Sequence, residues 1–104
     1  EGLEEGRIEL RSQGKLQNEF VLLQNEPNPW NGTTVIGMLL PEKGEVKLTI
    51  YDMTGKVYFR SAKELSKGYQ EWIIEKSMLG TSGVYYYQVD FDTNTQTRKM
   101  IILD

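Results

Sequence analysis

The sequence predicts an all-β fold, an antiparallel β-sandwich of about seven strands. Apolar and polar residues alternate with period two over several short runs rich in β-branched and aromatic residues. Glycine-containing turns separate these runs at intervals of about ten residues, the rhythm of a sandwich. No segment of useful length has the helical period, which argues against helices packed on a sheet. Because the chain has no Cys, the architecture that fits best is an immunoglobulin-like sandwich without the disulfide.

The first predicted strand of the sandwich is "TTVIGMLL". Its alternation puts Ile36, Met38 and Leu40 on one face. Val35 and Leu39 lie on the opposite face, so this strand is expected either to be covered on both sides or to expose apolar side chains.

Four further strands follow, "EVKLTIYD", "YQEWIIE", "GVYYYQVDF" and, at the end, "TQTRKMIIL". In the first three the expected inward residues are Val46, Leu48, Ile50, Trp72, Ile74, Tyr85, Tyr87, Val89 and Phe91. "PEKGE" and "MTGK" are predicted turns, and "DFDTNTQT" is predicted to be the hairpin before the last strand. "AKELSK" is expected to form a helical turn, and "EKSMLGTS" a short 3₁₀ piece.

Residues 1–19 differ from the remainder in composition, being acidic and punctuated by glycine. We interpret them as a linker or the end of an upstream domain, and residues 20–104 as the folded domain. Since the first residue is Glu1, the chain is expected to be a segment of a longer polypeptide, with any signal peptide upstream. Protease cleavage of the folded chain is predicted first within Arg11 to Glu19.

Composition argues against several classes of function. The chain has no His and no Cys, and its net charge is −3. Imidazole bases, thiol nucleophiles and the usual zinc ligands are therefore missing, and nucleic acid is a poor candidate partner. Asp90, Asp92 and Asn94 resemble the start of a calcium loop, but Thr95 and Ile101 occupy the positions that need Gly and Glu. We expect no metal, no cofactor and no enzymatic activity.

"QNEPNPWNGTT" and "TRKMIILD" stand out as motifs. Pro27 and Pro29 around Asn28 predict an extended, kinked segment that frees Trp30 to plug one end of the sandwich; a rigid loop before a strand is the plainer alternative. The four apolar residues Met100 to Leu103 stand where most chains are polar and frayed. As an edge strand they could be recognised by strand addition, or they could simply close the core.

Four motifs occur in the order "QNEPNPWNGTT", "LPEKGEVKLTIYDMTGKV", "SGVYYYQV" and "QTRKMIIL". In this order and spacing the chain resembles the C-terminal sorting domains of the type IX (Por) secretion system of Bacteroidota, over Phe20 to Asp104. The family's Pro-Asn-Pro motif falls on Pro27, Asn28 and Pro29, with Trp30 where Phe is usual. The recognition residues implied by the resemblance are Gly83, Tyr85, Lys99, Met100, Ile101, Ile102 and Leu103.

The resemblance implies a non-catalytic address label for an attached cargo protein. Such a domain is expected to fold in the periplasm and to be bound by the outer-membrane translocon and its shuttle protein. A sortase-like surface peptidase is then expected to remove it, with the cargo released or linked to lipopolysaccharide at the cell surface.

Two other functions remain open on the sequence. A carbohydrate-binding or adhesive immunoglobulin-like module would expose a row of Trp and Tyr rings, although cross-strand packing is the commoner use of such residues in a sheet. A structural spacer would work at any position in a precursor, whereas a sorting domain must stand at its C-terminus.

Overall fold

A computed structural model describes residues 19–104 of the chain, which form seven strands and one 3₁₀ turn. The elements are β1 (Val21–Leu22), β2 (Thr33–Leu40), β3 (Gly44–Asp52), β4 (Val57–Leu65), β5 (Gly68–Glu75), η1 (Lys76–Met78), β6 (Gly83–Phe91) and β7 (Asn94–Ile102). The predicted linker and nearly all of the predicted cleavage stretch lie outside the described residues. Within residues 19–104 no helix is long and apolar enough to span a bilayer.

The strands form two antiparallel sheets, with the orders β1-β2-β5 and β4-β3-β6-β7. One face of each sheet is apolar and packs on the other sheet, as period-two sequences require. The predicted all-β sandwich of seven strands is confirmed. The terminal strand β7 is an edge strand of the four-stranded sheet, as its position at the end of the chain suggested.

The core lies between the sheets and contains every residue predicted to face inward. Ile36, Met38 and Leu40 of β2 are buried, as are the inward residues of β3, β5 and β6. The core also takes in residues from both ends of the domain, which are Phe20, Leu22, Trp30, Met100 and Ile102. On the opposite face of β2, Leu39 is 41% exposed. The strand was expected either to be covered on both sides or to expose apolar side chains, and the second outcome is found.

The predicted helical turn at "AKELSK" is wrong, because Ala62 to Leu65 form the end of β4. This strand was not recognised in the sequence. The inward position Lys63 is charged and interrupts the apolar alternation; its ammonium lies 4.5 Å from the centre of the Trp72 ring. An inward-pointing charge on an edge strand discourages pairing with other chains.

The predicted turns are confirmed. In "MTGK" the Asp52 carboxylate accepts hydrogen bonds from the backbone N–H groups of Thr54 and Lys56, at 2.9 and 3.1 Å. Gly55 follows with a φ of +93°, which glycine adopts at little cost. A two-residue turn connects β6 to β7, and the 3₁₀ piece lies at Lys76–Met78.

Candidate functional site

The four apolar residues at the end of the chain divide between the two faces of the four-stranded sheet. Met100 and Ile102 point inward and are buried, at 0% and 2% exposure. Ile101 is half-buried, Lys99 is exposed, and Leu103 is 48% exposed. Because alternate residues of a strand face opposite sides, one half of this motif closes the core and the other half is displayed. The interpretation that this motif closes the core therefore holds for Met100 and Ile102, whereas recognition of the displayed residues stays a prediction.

The Pro-Asn-Pro segment lies along the free edge of β7 and is hydrogen-bonded to it. Trp30 N–H donates to the Ile101 carbonyl at 3.0 Å, and Leu103 N–H donates to the Trp30 carbonyl at 2.8 Å, which makes a short parallel bridge. The Ile101 N–H donates to Oδ1 of Asn28 at 2.9 Å. The backbone groups at this part of the edge are thus already paired, and a second strand cannot add there while these bonds are closed.

Side chains from other parts of the fold hold the same terminus. Gln24 Nε2 donates to the Lys99 carbonyl at 2.8 Å, and Lys76 Nζ donates to the Leu103 carbonyl at 2.9 Å. Asn31 Nδ2 donates to the carbonyl of Asp104 at 2.9 Å. Hydrogen bonds therefore fix these last residues in place, so the apolar motif Met100 to Leu103 is ordered and does not fray.

Trp30 fills the end of the sandwich beneath these bonds, which is the first of the two roles that the sequence left open for its segment. Its side chain is 1% exposed. Its indole Nε1 is buried and has no hydrogen-bond partner among the described residues. A buried donor without an acceptor costs free energy, so this position favours the large ring for its volume and not for its N–H group.

Asn25 anchors the Pro-Asn-Pro segment to the core and was not identified from the sequence. It is 1% exposed. Its backbone N–H donates to the Tyr87 hydroxyl at 2.8 Å, and its Nδ2 donates to Thr34 Oγ1 at 3.0 Å and to the Pro27 carbonyl at 3.1 Å. The Tyr87 hydroxyl in turn donates to the Leu23 carbonyl at 2.7 Å. A polar residue next to a proline-rich stretch is typical of a surface loop. The sequence therefore gives no sign of this buried network, which only the tertiary structure reveals.

Gly83 and Tyr85 support the terminal strand from its neighbour β6. Gly83 is paired with Ile102 and has a φ of +138°, in the region that favours glycine. Tyr85 is paired with Met100 and buried, and its hydroxyl donates to the Thr81 carbonyl at 2.8 Å. The structure therefore brings all the sequence-predicted residues to one end of the sandwich. Within this set, Lys99, Ile101 and Leu103 display their side chains on the outer side of the sheet.

Tyr85 is also held by Tyr58, at the start of β4. The Tyr58 ring packs edge-on against it with 5.3 Å between ring centres, and the Tyr58 hydroxyl donates to Asp52 Oδ2 at 3.0 Å. The Thr54 hydroxyl bond, reinforced by the backbone bonds from Lys56 and Thr54, lowers the pKa of Asp52 to about 2 against the opposing effect of desolvation. The Asp52 carboxylate is thus ionised, and it accepts the hydrogen bonds that hold the turn in place.

The displayed residues belong to a wider apolar and aromatic surface on the outer side of the four-stranded sheet. We name it the terminal face. Strand register places Val84 opposite Ile101 and Tyr86 opposite Lys99. The Tyr86 ring stacks on Tyr51, with 5.7 Å between centres and 25° between planes. The terminal face comprises Tyr51, Met53, Val84, Tyr86, Lys99, Ile101 and Leu103.

The terminal face is mostly apolar and partly exposed. Met53 is 72% exposed, and its only charged member is the cation Lys99. A groove of about 550 Å³ continues along the same sheet, from Tyr51 to Arg60 on β4. Within residues 19–104 no group of three or more Asp, Glu, His or Cys side chains is placed to hold a metal ion.

Comparison with known proteins identifies the family. The family model described as the secretion system C-terminal sorting domain matches residues 27–103. No curated protein matches the chain in sequence. A solved β-glucosidase from Listeria innocua, in complex with isofagomine, shares the fold with a TM-score of 0.51 and 11% identity, over 81% of this chain and 16% of that one. Identity this low shows a common fold alone. The family match runs from Pro27, in the Pro-Asn-Pro motif, to Leu103, in the terminal motif, and the structure joins these two motifs by hydrogen bonds. The chain belongs to the C-terminal sorting domains of the type IX secretion system.

Proposed function

We propose that this domain directs an attached cargo protein through the type IX outer-membrane translocon and is cleaved afterwards, without catalytic activity of its own. The family supports a role as a secretion-sorting signal. The observation that carries the finer proposal is the division of the terminal strand, in which Met100 and Ile102 anchor the chain while Lys99, Ile101 and Leu103 are displayed. A rigid, chemically mixed surface at the terminus is suited to being read by a receptor.

The shuttle protein of the translocon is proposed to recognise side chains of the terminal face rather than to add a strand at the terminus. Asn28 and Trp30 occupy the edge of β7 at Ile101 and Leu103. Apolar side chains beside one cation favour a partner surface that combines an apolar cleft with a carboxylate. The pathway then runs from the periplasm to the cell surface, where a sortase-like peptidase separates the domain from its cargo.

Export of a reporter tests this proposal. The 104-residue chain is fused behind a periplasmic reporter in a cell with a type IX system, and surface display is compared for the wild type, Lys99→Ala, Ile101→Ser and Leu103→Ser. We expect each variant to keep the wild-type melting temperature within a few degrees and to reduce surface display, with the reporter retained in the periplasm.

The matched control is Leu39→Ser, because Leu39 has a similar exposure, 41% against 48% for Leu103, but lies on the other sheet. It should be exported normally. Normal export of all three terminal-face variants would refute recognition at this surface. A defect in Leu39→Ser equal to that of Leu103→Ser would mean that general surface hydrophobicity, and not this site, controls export.

A further inference from the structure

The outer side of the three-stranded sheet carries a second exposed apolar patch. Leu39, Tyr69 and Ile73 are 41%, 53% and 58% exposed. Strand register places Leu39 opposite Tyr69 and Val35 opposite Ile73, so these side chains are neighbours in one patch. The patch is on the opposite sheet from the terminal face, and contiguous apolar surface of this kind marks interaction sites more often than scattered single residues do.

Tyr69 is held in a defined position within this patch. It lies against Gly37 of the neighbouring strand, where a Cβ atom would approach the Tyr69 hydroxyl oxygen to 2.7 Å. The hydroxyl donates to Glu71 Oε2 at 2.9 Å, and this bond raises the pKa of Tyr69. The absence of a side chain at residue 37 thus lets the ring lie across β2. Beside the ring is a groove of about 360 Å³, whose lining includes Glu26, Val35 and Glu71.

Within residues 19–104, the charged side chains at outward positions of β1, β2 and β5 are all acidic. Glu71 and Glu75 occupy outward positions of β5, and Glu26 pairs with Val35 at the border of the groove. An ion pair between described side chains joins Lys43 to Glu64, and neither residue lies on this side of the sheet. Carboxylates around an aromatic ring and an apolar floor suit an ammonium or guanidinium group carried on an aliphatic stem.

The order of these residues along β5 defines the shape of a matching ligand. The outward residues are Tyr69, Glu71, Ile73 and Glu75, so aromatic or aliphatic side chains alternate with carboxylates. Successive outward residues of a strand are about 7 Å apart. An extended polypeptide repeats its side chains at the same interval.

We propose that this side of the sheet, the acidic face, docks an extended polypeptide segment. On one face of that segment, apolar residues alternate with Lys or Arg. The acidic face comprises Glu26, Leu39, Tyr69, Glu71, Ile73 and Glu75. Charge complementarity selects the basic residues, and the alternation along β5 selects the extended form. This inference concerns a surface separate from the terminal face and does not depend on how export occurs.

Amide chemical-shift mapping of the complete chain tests the proposal. The probe is the peptide acetyl-Val-Thr-Lys-Thr-Val-Thr-Lys-Thr-amide, which presents alternating Val and Lys on one face when it is extended. We expect shift changes at Gly37, Leu39 and along β5, and weaker binding at higher salt. Ile73→Ser and Glu75→Gln should each weaken binding about fivefold or more, as for contact residues at an interface.

Three controls decide the outcome. The same peptide with Glu in place of Lys should not bind, and Leu103→Ser and Glu64→Gln should bind as the wild type does. Equal binding of both peptides, shifts elsewhere on the domain, or no shifts at millimolar peptide would each overturn the proposal. Concentration-dependent shifts of β5 without peptide would assign the face to self-association instead, and shifts caused by cellohexaose but not by the peptide would assign it to a glycan; both results would also overturn it.

Discussion

Replacing Trp30 with Phe should leave the domain about as stable as the wild type. The indole is 1% exposed and its Nε1 has no acceptor among the described residues. The smaller ring leaves about 40 Å³ unfilled, which at ~24 cal/mol per Å³ costs about 1 kcal/mol, and the lost burial of the removed ring atoms costs roughly 1 kcal/mol more. Removing a buried donor without a partner returns about 1–3 kcal/mol. The expected net change in stability therefore lies within about 1 kcal/mol of zero.

Replacing Trp30 with Ala supplies the contrast, because it removes the ring as well as the donor. Truncation of a buried Trp lowers the free energy of unfolding by about 3–5 kcal/mol. Urea denaturation followed by fluorescence measures both variants, since the chain has two Trp residues and Trp72 remains as the reporter. A loss of more than about 2 kcal/mol in Trp30→Phe would show that the indole N–H contributes favourably, and the reasoning about an unpartnered donor would be refuted.

Four further substitutions test the terminal strand, its neighbour β6 and the turn after β3. Met100→Ala should lower the free energy of unfolding by about 2–5 kcal/mol and Ile101→Ala by about 1 kcal/mol or less, because only Met100 is fully buried; equal losses by urea denaturation would contradict the assigned faces. Gly83→Ala should cost about 1–3 kcal/mol through backbone strain at its positive φ, although there is space for the methyl group. Asp52→Asn should destabilise the domain at neutral pH. Since the folded pKa of Asp52 is about 2, below its ordinary value of 3.8, the stability due to its ionisation is present above about pH 4 and is lost as pH falls towards 2. Thermal unfolding curves of mutant and wild type should therefore converge over that range.

The fold and the core were predictable because each inward residue repeats at a fixed interval. In β3, Val46, Leu48 and Ile50 alternate with polar residues, and burial follows directly from that alternation. Strand β4 was missed because its apolar alternation is interrupted at the inward position Lys63. The Lys63 ammonium lies over the Trp72 ring at the open edge of the sheet, so a charged residue is tolerated there and period two is lost.

The candidate site could be predicted in its members but not in its geometry. The motif residues were identifiable by type, yet Asn28 and Ile101 are 73 positions apart and their hydrogen bond depends on how the two sheets pack. Local patterns carry no information about such pairs. The burial of Asn25 shows the same limit, because an Asn before Glu and Pro has the composition of an exposed loop while its bonds to Thr34 and Tyr87 lie in the interior.

The parallel bridge between Trp30 and Ile102 sets an order in time for folding. The Trp30 end of the segment before β2 can make these bonds only when β7 is in place, because their partners are Ile101 and Leu103. Closing so long a loop is slow compared with forming a local hairpin. A chain whose synthesis stopped before Lys99 would leave Trp30 uncovered and the core open. Placement of β7 is therefore the step that closes this end of the core.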